Sequence, residues 1–550
     1  MTDAALDLLV LGSGVAGLSA AVRAADAHRM RVGLLTKGEL HQSTTRWAQG
    51  GVAAVLGDDP DSTDLHLADT LRAGAGLCDV DAVRVLVDEG PGRVNELIAL
   101  GAIFDRDERG QLELAREGGH SLARVVHAGG AATGVEVERA LVEAVRQTAA
   151  ALHENAFACD LLVEDGRCRG VVAVDADGRR REVRADHVLV ATGGGGQLFA
   201  VTTNPVEATG DGVAMALRAG AAVADVEFVQ FHPTALHHPR MPRPLLSEAL
   251  RGHGALLRDV NGERFVDELL PRDEVSRAMT RRMLEMDVDH CLLDATGLEH
   301  FDERFPTIAS ALREVGLDPT TEWLPIAPAA HYLCGGIVTD LDGAASVPHL
   351  WAAGEVSCTG VHGGNRLASN SLLEGMVFGF RVVESIDRGK VSAEPSGAMR
   401  AVLDAGADAA PGRTGGILGR RPAGWSPITW PRGDDGTFAS ASNGVDLAAT
   451  RDELQRTMTT GAGVLRSASS LAATAGVVHQ LATRMEAADD SPGAWELRNL
   501  IDLGRALLHS AAAREESRGA HTRSDHPALD DDLQVRFVLD ADADADADRH

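Results

Sequence analysis

Residues 6–37 read "LDLLVLGSGVAGLSAAVRAADAHRMRVGLLTK". An apolar run, a glycine turn, an alanine-rich segment and a second apolar run predict a strand, a turn, a helix and a second strand. In the turn, Gly12 permits a tight bend, Gly14 lets the backbone approach a pyrophosphate, and Gly17 lets the helix pack on the strand. The stretch therefore predicts a nucleotide-binding βαβ unit. Its predicted cofactor contacts are Gly12, Ser13, Gly14, Val15, Ala16 and Gly17.

The second predicted strand ends at Thr36 and Lys37, where an acidic residue that binds ribose is expected. The turn therefore predicts nucleotide binding and leaves the ribose contact open. A nicotinamide enzyme and a flavin enzyme can use the same turn, so the choice of cofactor depends on other segments. No second G-x-G-x-x-G occurs, and a separate nicotinamide domain is not predicted.

Further apolar strands are predicted at 185–196 and 349–360, so one sheet is expected to be assembled from distant segments. The range between them is rich in Pro, His and Arg and predicts an inserted domain. Helical spacing of Leu497, Leu500, Ile501 and Leu507 predicts a C-terminal bundle. The expected organisation is a cofactor domain at 1–225 and 333–390, an inserted capping domain at 226–332, a linker or loosely ordered loop at 391–443, a helical domain at 444–530 and a disordered acidic tail at 531–550.

Composition limits the possible partners. The chain has 550 residues and a formal net charge of −29, which disfavours nucleic acid and anionic membranes as partners. No segment approaches the ~20 apolar residues of a membrane helix. Six cysteines without a C-x-x-C pair suggest neither an iron–sulfur site nor a redox dithiol. We expect a reduced, cytoplasmic protein without a metal site.

Four segments favour a flavin over a nicotinamide. "STTRWAQGG" (43–51), "ATGGGG" (191–196), "TGDGVAMALRAGA" (209–221) and "AAGEVSCTG" (352–360) resemble the FAD-binding segments of the succinate dehydrogenase and fumarate reductase flavoprotein family. The resemblance implies FAD and a Rossmann-like α/β domain interrupted by an α+β capping domain, followed by a C-terminal helical bundle. The further cofactor contacts that it implies are Lys37, Thr44, Thr45, Ala48, Gln49, Gly50, Gly51, Asp211, Glu355, Ser371 and Leu372.

Five more segments resemble the substrate site of that family. They are "EFVQFHPTAL" (227–236), "SEALRGHGALLRD" (247–259), "PRDEVSR" (271–277), "HYLCGG" (331–336) and "HGGNRLASNSL" (362–372). A doubly anionic four-carbon acid needs cations and hydrogen-bond donors at both ends, and the planar guanidinium suits a carboxylate. The resemblance implies that Arg366 and His331 hold one carboxylate and that His232 and Ser247 hold the other, with Gln230 as a further substrate contact.

Arg272 matches the proton-transfer arginine of the family. Because the reference pKa of arginine is above 12, its side chain is a poor acid or base. We expect Arg272 to place positive charge beside the reacting carbon, with Glu248 or water carrying the proton onward. Taken alone, Arg272 and Arg366 could each be surface ion pairs, and Arg251 could be the structural partner of a loop acid.

The stretch "AREGGHS" (115–121) distinguishes between the possible dicarboxylates. It resembles the branch of the family that oxidises L-aspartate, and aspartate is succinate with an ammonium on C2. The resemblance implies that Glu117 is a catalytic-site residue that receives this ammonium. The alternative is a loop glutamate paired with Arg116 or Arg124. Thr44 stands where succinate dehydrogenases carry the histidine that bonds covalently to FAD, which implies a non-covalent cofactor.

The implied activity is FAD-dependent oxidation of L-aspartate to iminoaspartate by hydride transfer from C2 to flavin N5, with oxygen or fumarate as acceptor. In the family this is the first step of NAD formation through quinolinate, and a quinolinate synthase is the implied functional partner. The nearest alternative is a fumarate reductase or succinate dehydrogenase flavoprotein subunit. A different class of alternative is a flavin-binding protein that has lost turnover and serves as a regulatory module.

Overall fold

The computed structural model describes residues 6–57, 60–130, 132–403, 416–420 and 444–540. Strand β1 (Leu6–Leu11), helix α1 (Val15–Asp26) and strand β2 (Val32–Leu35) follow one another at the start of this range. The two strands are parallel neighbours in one sheet. The strand, turn, helix and strand predicted for residues 6–37 are therefore confirmed.

The βαβ unit lies at the centre of a seven-stranded sheet. The strands that join β1 and β2 are β6 (Ala151–His153), β7 (Phe157–Glu164), β8 (Arg167–Val174), β9 (Arg180–Val190) and β16 (Leu350–Ala352). The first half of β9 pairs antiparallel with β8, and its second half pairs parallel with both β1 and β16. Since β9 and β16 are far apart in the chain, the prediction of one sheet built from distant segments is confirmed.

Both faces of this sheet are covered by helices. Along β1, Leu8 and Val10 point to one hydrophobic cluster while Leu9 and Leu11 point to another, as the two-residue period of a strand requires. Besides α1, the helices around this sheet and beside it are α2 (Thr63–Ala73), α3 (Val80–Ala99), α4 (Thr133–Arg146), α5 (Asp211–Ala219) and α10 (Asn370–Asp387). The first cluster is formed with α1, α3, α4 and α10, and the second with α5 and the C-terminal helices.

Two smaller sheets lie outside the seven-stranded sheet. One is formed before residue 130 and the other mainly by the range 226–332. Short strands β3 (Val52–Ala53), β4 (Leu114–Ala115) and β5 (Val125–Val126) form one of them. The other is antiparallel and contains β11 (Val229–Leu236), β12 (Leu256–Arg258), β13 (Cys291–Asp294) and β14 (Leu324–Leu333). Its helices are α6 (Glu248–Gly252), α7 (Arg272–Met286), α8 (Phe301–Arg304) and α9 (Pro306–Glu314). This range has its own hydrophobic cluster, and its role as a capping domain stays a prediction.

Three long helices form the C-terminal part of the chain and pack against one another. They are α12 (Leu447–Ala462), α13 (Ala468–Met485) and α14 (Pro492–Ala513). Each begins at a side chain that accepts a hydrogen bond from its own first turn: Asp446, Ser467 and Ser491. Short polar side chains of this kind satisfy donors that have no partner inside the helix. The predicted helical C-terminal region is confirmed.

The prediction of a disordered tail at 531–550 is wrong for 531–540. After a short 3-10 helix, β19 (Arg536–Asp540) enters a five-stranded sheet with β10 (Val223–Ala224), β15 (Gly336–Val338), β17 (Ser357–Cys358) and β18 (Gly416–Arg420). The apolar run Phe537, Val538 and Leu539 is buried, and it supplies the apolar surface that the acid–alanine repeat lacks. Residues 541–550 lie outside the described residues.

The loosely ordered loop predicted at 391–443 also needs correction at its start. A 3-10 helix at Gly397–Met399 leads into α11 (Arg400–Leu403), and Ala398, Met399 and Ala401 are buried. The high content of small residues reflects tight packing in this short segment. Residues 404–415 and 421–443 lie outside the described residues. Among the described helices, none is both long enough and apolar enough to cross a bilayer.

A buried ion pair fixes β19 to the rest of the protein. The guanidinium of Arg536 donates to the carboxylate of Asp225, and both side chains are almost completely buried. Arg536 also donates to the carbonyl of Leu77 at 2.6 Å. Removing one partner of such a pair leaves an uncompensated buried charge.

We expect Arg536→Ala to lower the free energy of unfolding by about 3–5 kcal/mol. Thermal unfolding followed by far-UV circular dichroism measures this loss as a lower midpoint. Arg456→Ala is the matched control, because Arg456 forms an exposed pair with Asp452 one helical turn away, and its midpoint should not change measurably. Equal midpoints for the two variants would contradict a structural role for the tail.

Candidate active site

One elongated cavity runs from the glycine turn to the predicted dicarboxylate residues. Every predicted cofactor and substrate residue lines it except Gly17 and Gln230. Gly17 packs under the turn, where an added Cβ would lie 2.1 Å from the carbonyl oxygen of Gly12. Gln230 lies behind the cavity wall and bonds to two of the lining arginines. The sequence-predicted site residues are therefore gathered around a single space, and their individual roles stay predictions.

The glycine turn presents the beginning of α1 to this cavity. Gly12 has a φ of +106°, and an added Cβ would lie 2.3 Å from the carbonyl oxygen of Ala191. No side chain caps the helix at Gly14, and the amide of Val15 donates to Thr45 Oγ1 at 3.0 Å. Free amides and the helix dipole make such an N-terminus suitable for a phosphate group. The strand, the turn and the helix thus build the phosphate end of a nucleotide site.

At the same end, Lys37 does not present a free charge. Its ammonium donates to Asp211 at 2.8 Å, to Glu496 at 2.7 Å and to Thr209 at 2.6 Å. Burial alone would lower the pKa of Lys37, but the two carboxylates outweigh it and raise the pKa above its usual value. Lys37 therefore ties β2 to α5 and α14 at the cavity wall.

Part of the cavity lining fits the polar part of a flavin nucleotide. Two buried oxygen atoms of the lining residues, Thr192 Oγ1 and Gln49 Oε1, have no hydrogen-bond partner in the described part of the chain. Glu355 also faces this region, and burial raises its pKa to about 7. Thr44 and Thr45 stand in a 3-10 helix at Thr44–Trp47 on the same wall. Unsatisfied buried groups are rare in folded proteins, so these atoms indicate a polar ligand.

Two guanidinium groups dominate the other end of the cavity. Arg366 and Arg272 both donate to the side-chain oxygen of Gln230, at 3.0 Å and 3.4 Å. The amide nitrogen of Gln230 donates to Asn365 and to the carbonyl of Arg366, which fixes the orientation of the amide. Burial lowers the pKa of Arg366, and the nearby charge of Arg272 lowers it further. A site with two cations this close favours a ligand with two negative charges.

Tyr332, the only tyrosine of the chain, packs its ring against the guanidinium of Arg366. The guanidinium carbon lies 4.4 Å from the centre of the ring, a cation–π contact. The ring hydroxyl donates to the buried carboxylate of Glu374 at 3.2 Å. This support was not predicted from the sequence, although Tyr332 lies inside the quoted segment "HYLCGG".

His232 and His331 face each other across the substrate end, with ring centres 5.4 Å apart. Burial lowers the pKa of both imidazoles well below 6.5, and the positive charges of Arg272 and Arg366 add to the effect. The amide of Thr234 donates to His232 Nδ1, so the neutral ring carries its proton on Nε2. His232 is therefore a neutral donor through Nε2, and His331 is a neutral imidazole whose Nδ1 bonds to Thr203 Oγ1 at 2.8 Å.

Ser247 and Glu248 begin α6 on the same wall of the cavity. Glu248 accepts from Arg272 Nε at 2.8 Å, and Arg251 lies 3.7 Å from the same carboxylate oxygen. Arg251 is buried and also donates to the backbone carbonyl of Glu268. The geometry brings Glu248 to Arg272 as the predicted relay requires, and it gives Arg251 a structural contact as well.

Glu117 lies between the segment 43–51, whose Gly51 it contacts, and the substrate end of the cavity. Its carboxylate accepts from Ser369 Oγ at 2.5 Å, from His127 Nε2 at 3.1 Å and from the amide of Gly51 at 3.4 Å. Burial alone would raise the pKa of Glu117, but the hydrogen bond and positive charge of His127, the hydrogen bond from Ser369 and the charge of Arg272 lower it to about 2. Glu117 is therefore a carboxylate at neutral pH.

The alternative partners proposed for Glu117 are engaged elsewhere. Arg116 donates to the carbonyl of His120, and Arg124 is buried in a pair with Asp61 and Asp69. Neither arginine makes an ion pair with Glu117 among the described contacts. The two contacts that were not predicted are Ser369, from the quoted "HGGNRLASNSL", and His127, which begins the segment "HAGGAATG" (127–134).

Comparison with known proteins agrees with this geometry. Residues 7–372 match the family described as FAD binding domain, and residues 451–546 match the family described as fumarate reductase flavoprotein C-term. Among solved structures, a mutated Escherichia coli quinol fumarate reductase subunit is 30% identical with a TM-score of 0.85, covering 99% of this chain and 96% of that chain. Sdh1 of Mycobacterium smegmatis is 30% identical with a TM-score of 0.78, covering 96% and 90%. The class is therefore that of FAD-dependent flavoproteins of the fumarate reductase type.

Curated relatives narrow this class. L-aspartate oxidase of Streptomyces coelicolor is 49% identical over 97% of this chain and 91% of its own length. L-aspartate oxidase of Mycobacterium tuberculosis is 42% identical over 95% and 93%, and the chloroplastic L-aspartate oxidase 2-b of Nicotiana tabacum is 40% identical over 97% and 83%. The chain belongs to the L-aspartate oxidase family of these flavoproteins, and its cofactor is FAD.

We expect Gly17→Ala to reduce the amount of FAD that copurifies with the protein. The new methyl group would overlap the carbonyl of Gly12 and displace the turn that begins α1. The ratio of flavin absorbance to protein absorbance measures the loss. Gly476→Ala is the control, because Gly476 lies inside α13 with open space around it and alanine favours a helix. Normal FAD content in Gly17→Ala would contradict the assigned role of the turn.

Proposed function

We propose that this protein oxidises L-aspartate to iminoaspartate with FAD, as the first step of NAD biosynthesis through quinolinate. The observation that carries the proposal is an ionised carboxylate, Glu117, beside a site with two arginines, the buried Arg366 and the half-buried Arg272. The family to which the chain belongs supports the same reaction. The proposed electron acceptor is oxygen or fumarate, and the proposed functional partner is a quinolinate synthase.

The two carboxylates of the substrate account for the four groups at the substrate end. Arg366 and His331 would hold one carboxylate, and His232 and Ser247 would hold the other. Planar guanidinium groups bind carboxylates through two hydrogen bonds, and neutral imidazoles add donors without adding charge. Gln230 bonds to both arginines and so fixes Arg366, which would hold one carboxylate, relative to Arg272 beside the reacting carbon.

Glu117 would then select for the amino acid. With its pKa lowered to about 2, Glu117 carries a full negative charge at neutral pH. The ammonium of aspartate would pair with it, whereas succinate brings no group to offset that charge. A buried charge without a partner is unfavourable, so the site favours aspartate over succinate.

The protein residues orient the substrate and control its protons. The predicted cofactor residues of the cavity would hold FAD, which would supply the two-electron oxidation at C2 of the substrate. Arg272 places positive charge beside the reacting carbon, and Glu248, which accepts from Arg272 Nε, or water would carry a proton onward. The residues that bind the two carboxylates, together with Glu117, would hold C2 of the substrate in one position. The reacting groups are then already aligned when the substrate is bound. We propose that FAD is held without a covalent link, because Thr44 cannot form the bond that a histidine forms.

The proposed architecture follows the same reasoning. Residues 226–332 would cap the Rossmann-like FAD-binding domain and exclude water during the reaction, since they carry Arg272, His232 and Ser247 on one wall of the cavity. The cytoplasmic location expected from the sequence stays a prediction.

We expect L-aspartate, mixed anaerobically with the purified protein, to bleach the visible absorbance of the flavin, whereas succinate bleaches it slowly or not at all. Glu117→Ala should lose most of the bleaching by aspartate, because the ammonium then has no partner. A stopped-flow spectrophotometer measures both rates. Fast bleaching by succinate alone would overturn the proposal and favour the fumarate reductase or succinate dehydrogenase alternative. Bleaching by neither substrate would favour a regulatory flavin-binding protein.

We also expect Arg272→Lys to slow the bleaching by aspartate at least about 100-fold, because an ammonium cannot keep the contacts of Arg272 to both Glu248 and Gln230. The same rapid-mixing measurement gives the rate. Arg282→Lys is the matched control on the same helix, since Arg282 pairs with Asp259 and does not line the cavity. A full rate in Arg272→Lys would contradict the proposed placement of charge.

A further inference from the structure

The carboxylate of Glu117 has a second titratable neighbour besides the substrate. His127 Nε2 lies 3.1 Å from Glu117 Oε1, and both side chains are mostly buried, with exposures of 18% and 16%. Ser369 Oγ binds the other carboxylate oxygen at 2.5 Å. Glu117 therefore lies between a hydroxyl, which cannot change its charge near neutral pH, and an imidazole, which can.

The position of His127 is fixed by its backbone. His127 follows β5, and its carbonyl accepts from the amide of Asp105 at 2.8 Å. The carboxylate of Asp105 in turn accepts from the amides of Gly129 and Gly130. These bonds hold the loop so that the imidazole faces Glu117, and any change of charge on His127 acts directly on that carboxylate.

The charge balance of the site differs between two kinds of ligand. A dicarboxylate with an ammonium brings its own cation to Glu117. A dicarboxylate without an ammonium, such as succinate or fumarate, brings no cation to Glu117 and adds a second anion beside it. Such an arrangement is unfavourable unless another cation replaces the ammonium.

We propose that His127 supplies that cation: it binds a proton when the ligand lacks an ammonium and releases it when the ligand carries one. His127 is then a specificity-determining residue that lets one site accept both an amino acid and an unsubstituted dicarboxylate. The proposal rests on the proposed function, because it takes Glu117 as the partner of the substrate ammonium. The only bond that changes is one N–H bond of the imidazole, and its proton comes from and returns to solvent.

Other nearby groups do not account for such a switch. Arg272 acts on Glu117 through its charge, and arginine stays protonated at these pH values. Burial lowers the pKa of His120, and both of its ring nitrogens are already bonded, to Arg124 and to the carbonyl of Ala368. Glu355 has a pKa raised to about 7 by burial, but it does not contact Glu117 among the described hydrogen bonds.

Linkage fixes the sign of the pH dependence. A ligand that binds together with a proton loses affinity as the pH rises, and a ligand that expels a proton gains affinity. Succinate should therefore bind more weakly at high pH, whereas an aspartate analogue should bind more tightly. Any titration that changes both dissociation constants by the same factor leaves the ratio of the two constants unchanged.

The test uses oxidised holoenzyme, succinate and 2-methylaspartate, which carries the ammonium but has no C2 hydrogen to donate. Flavin difference spectra give both dissociation constants between about pH 6.5 and 8.5, where imidazoles titrate. We expect the ratio of the succinate constant to the 2-methylaspartate constant to rise by at least about tenfold across this range. In His127→Gln, which can keep the hydrogen bond to Glu117, the ratio should stay constant.

Ser369→Ala is the matched control, because it removes the other hydrogen bond to Glu117 without removing a titratable group. It should change both constants and retain the rise of the ratio with pH. Calorimetry of the wild type in buffers of different ionisation enthalpy gives an independent measure, and succinate should take up a proton on binding. This second measurement does not depend on the folding of any variant.

A pH-independent ratio in the wild type, or an unchanged rise in His127→Gln, would overturn the role of His127. Failure of aspartate to reduce the flavin would overturn the proposed function instead, and these titrations distinguish the two failures because they need no turnover. If 2-methylaspartate does not bind to the wild type at all, the contact between Glu117 and the ammonium is wrong and this inference falls with it.

Discussion

The substrate end depends on one constraint: two arginines of like charge are held together in a mostly buried place. Gln230 makes this possible, because its side-chain oxygen accepts from both Arg272 and Arg366 and its amide nitrogen is tied to the backbone of the second arginine. Arg272 is also paired with Glu248, whereas Arg366 has no carboxylate partner among the described contacts, so the site favours an anionic ligand. Burial keeps His232 and His331 neutral and the arginine charges add to this effect, while the charge of Arg272 adds to the lowering of the Glu117 pKa by His127 and Ser369.

Distant parts of the chain hold this arrangement in place. Gln230 and His232 lie on β11, next to Glu227, whose buried carboxylate pairs with Arg514 after the last long helix. The C-terminal helices also reach the nucleotide end, where Glu496 binds Lys37. The C-terminal part of the chain thus pairs with Lys37 at the nucleotide end and, through the buried Arg514, with Glu227 two residues before β11. Such contacts require an exact fit, since a buried charge without its partner is strongly destabilising.

Much of this could be predicted from sequence because the signals are local. The glycine turn fixes the βαβ unit through close backbone contacts, and the substrate arginines and histidines lie in short segments with a recognisable order. Contacts made by single side chains across the fold were not predictable. The pairing of Lys37 with Glu496, the support of Arg366 by Tyr332, and the bonds from His127 and Ser369 to Glu117 have no local pattern. The ordered strand at Arg536–Asp540 was missed because five residues carry little weight in an acidic segment.

Substrate choice depends on recognition of the ammonium by Glu117. A thermodynamic cycle at one pH tests this recognition most directly, with succinate and 2-methylaspartate binding to oxidised wild type and to Glu117→Gln. We expect the substitution to weaken binding of 2-methylaspartate by at least about tenfold and to leave binding of succinate unchanged or tighter, because only the ammonium loses a charged partner. Equal weakening of both ligands would show instead that Glu117 is a structural residue of the cavity wall.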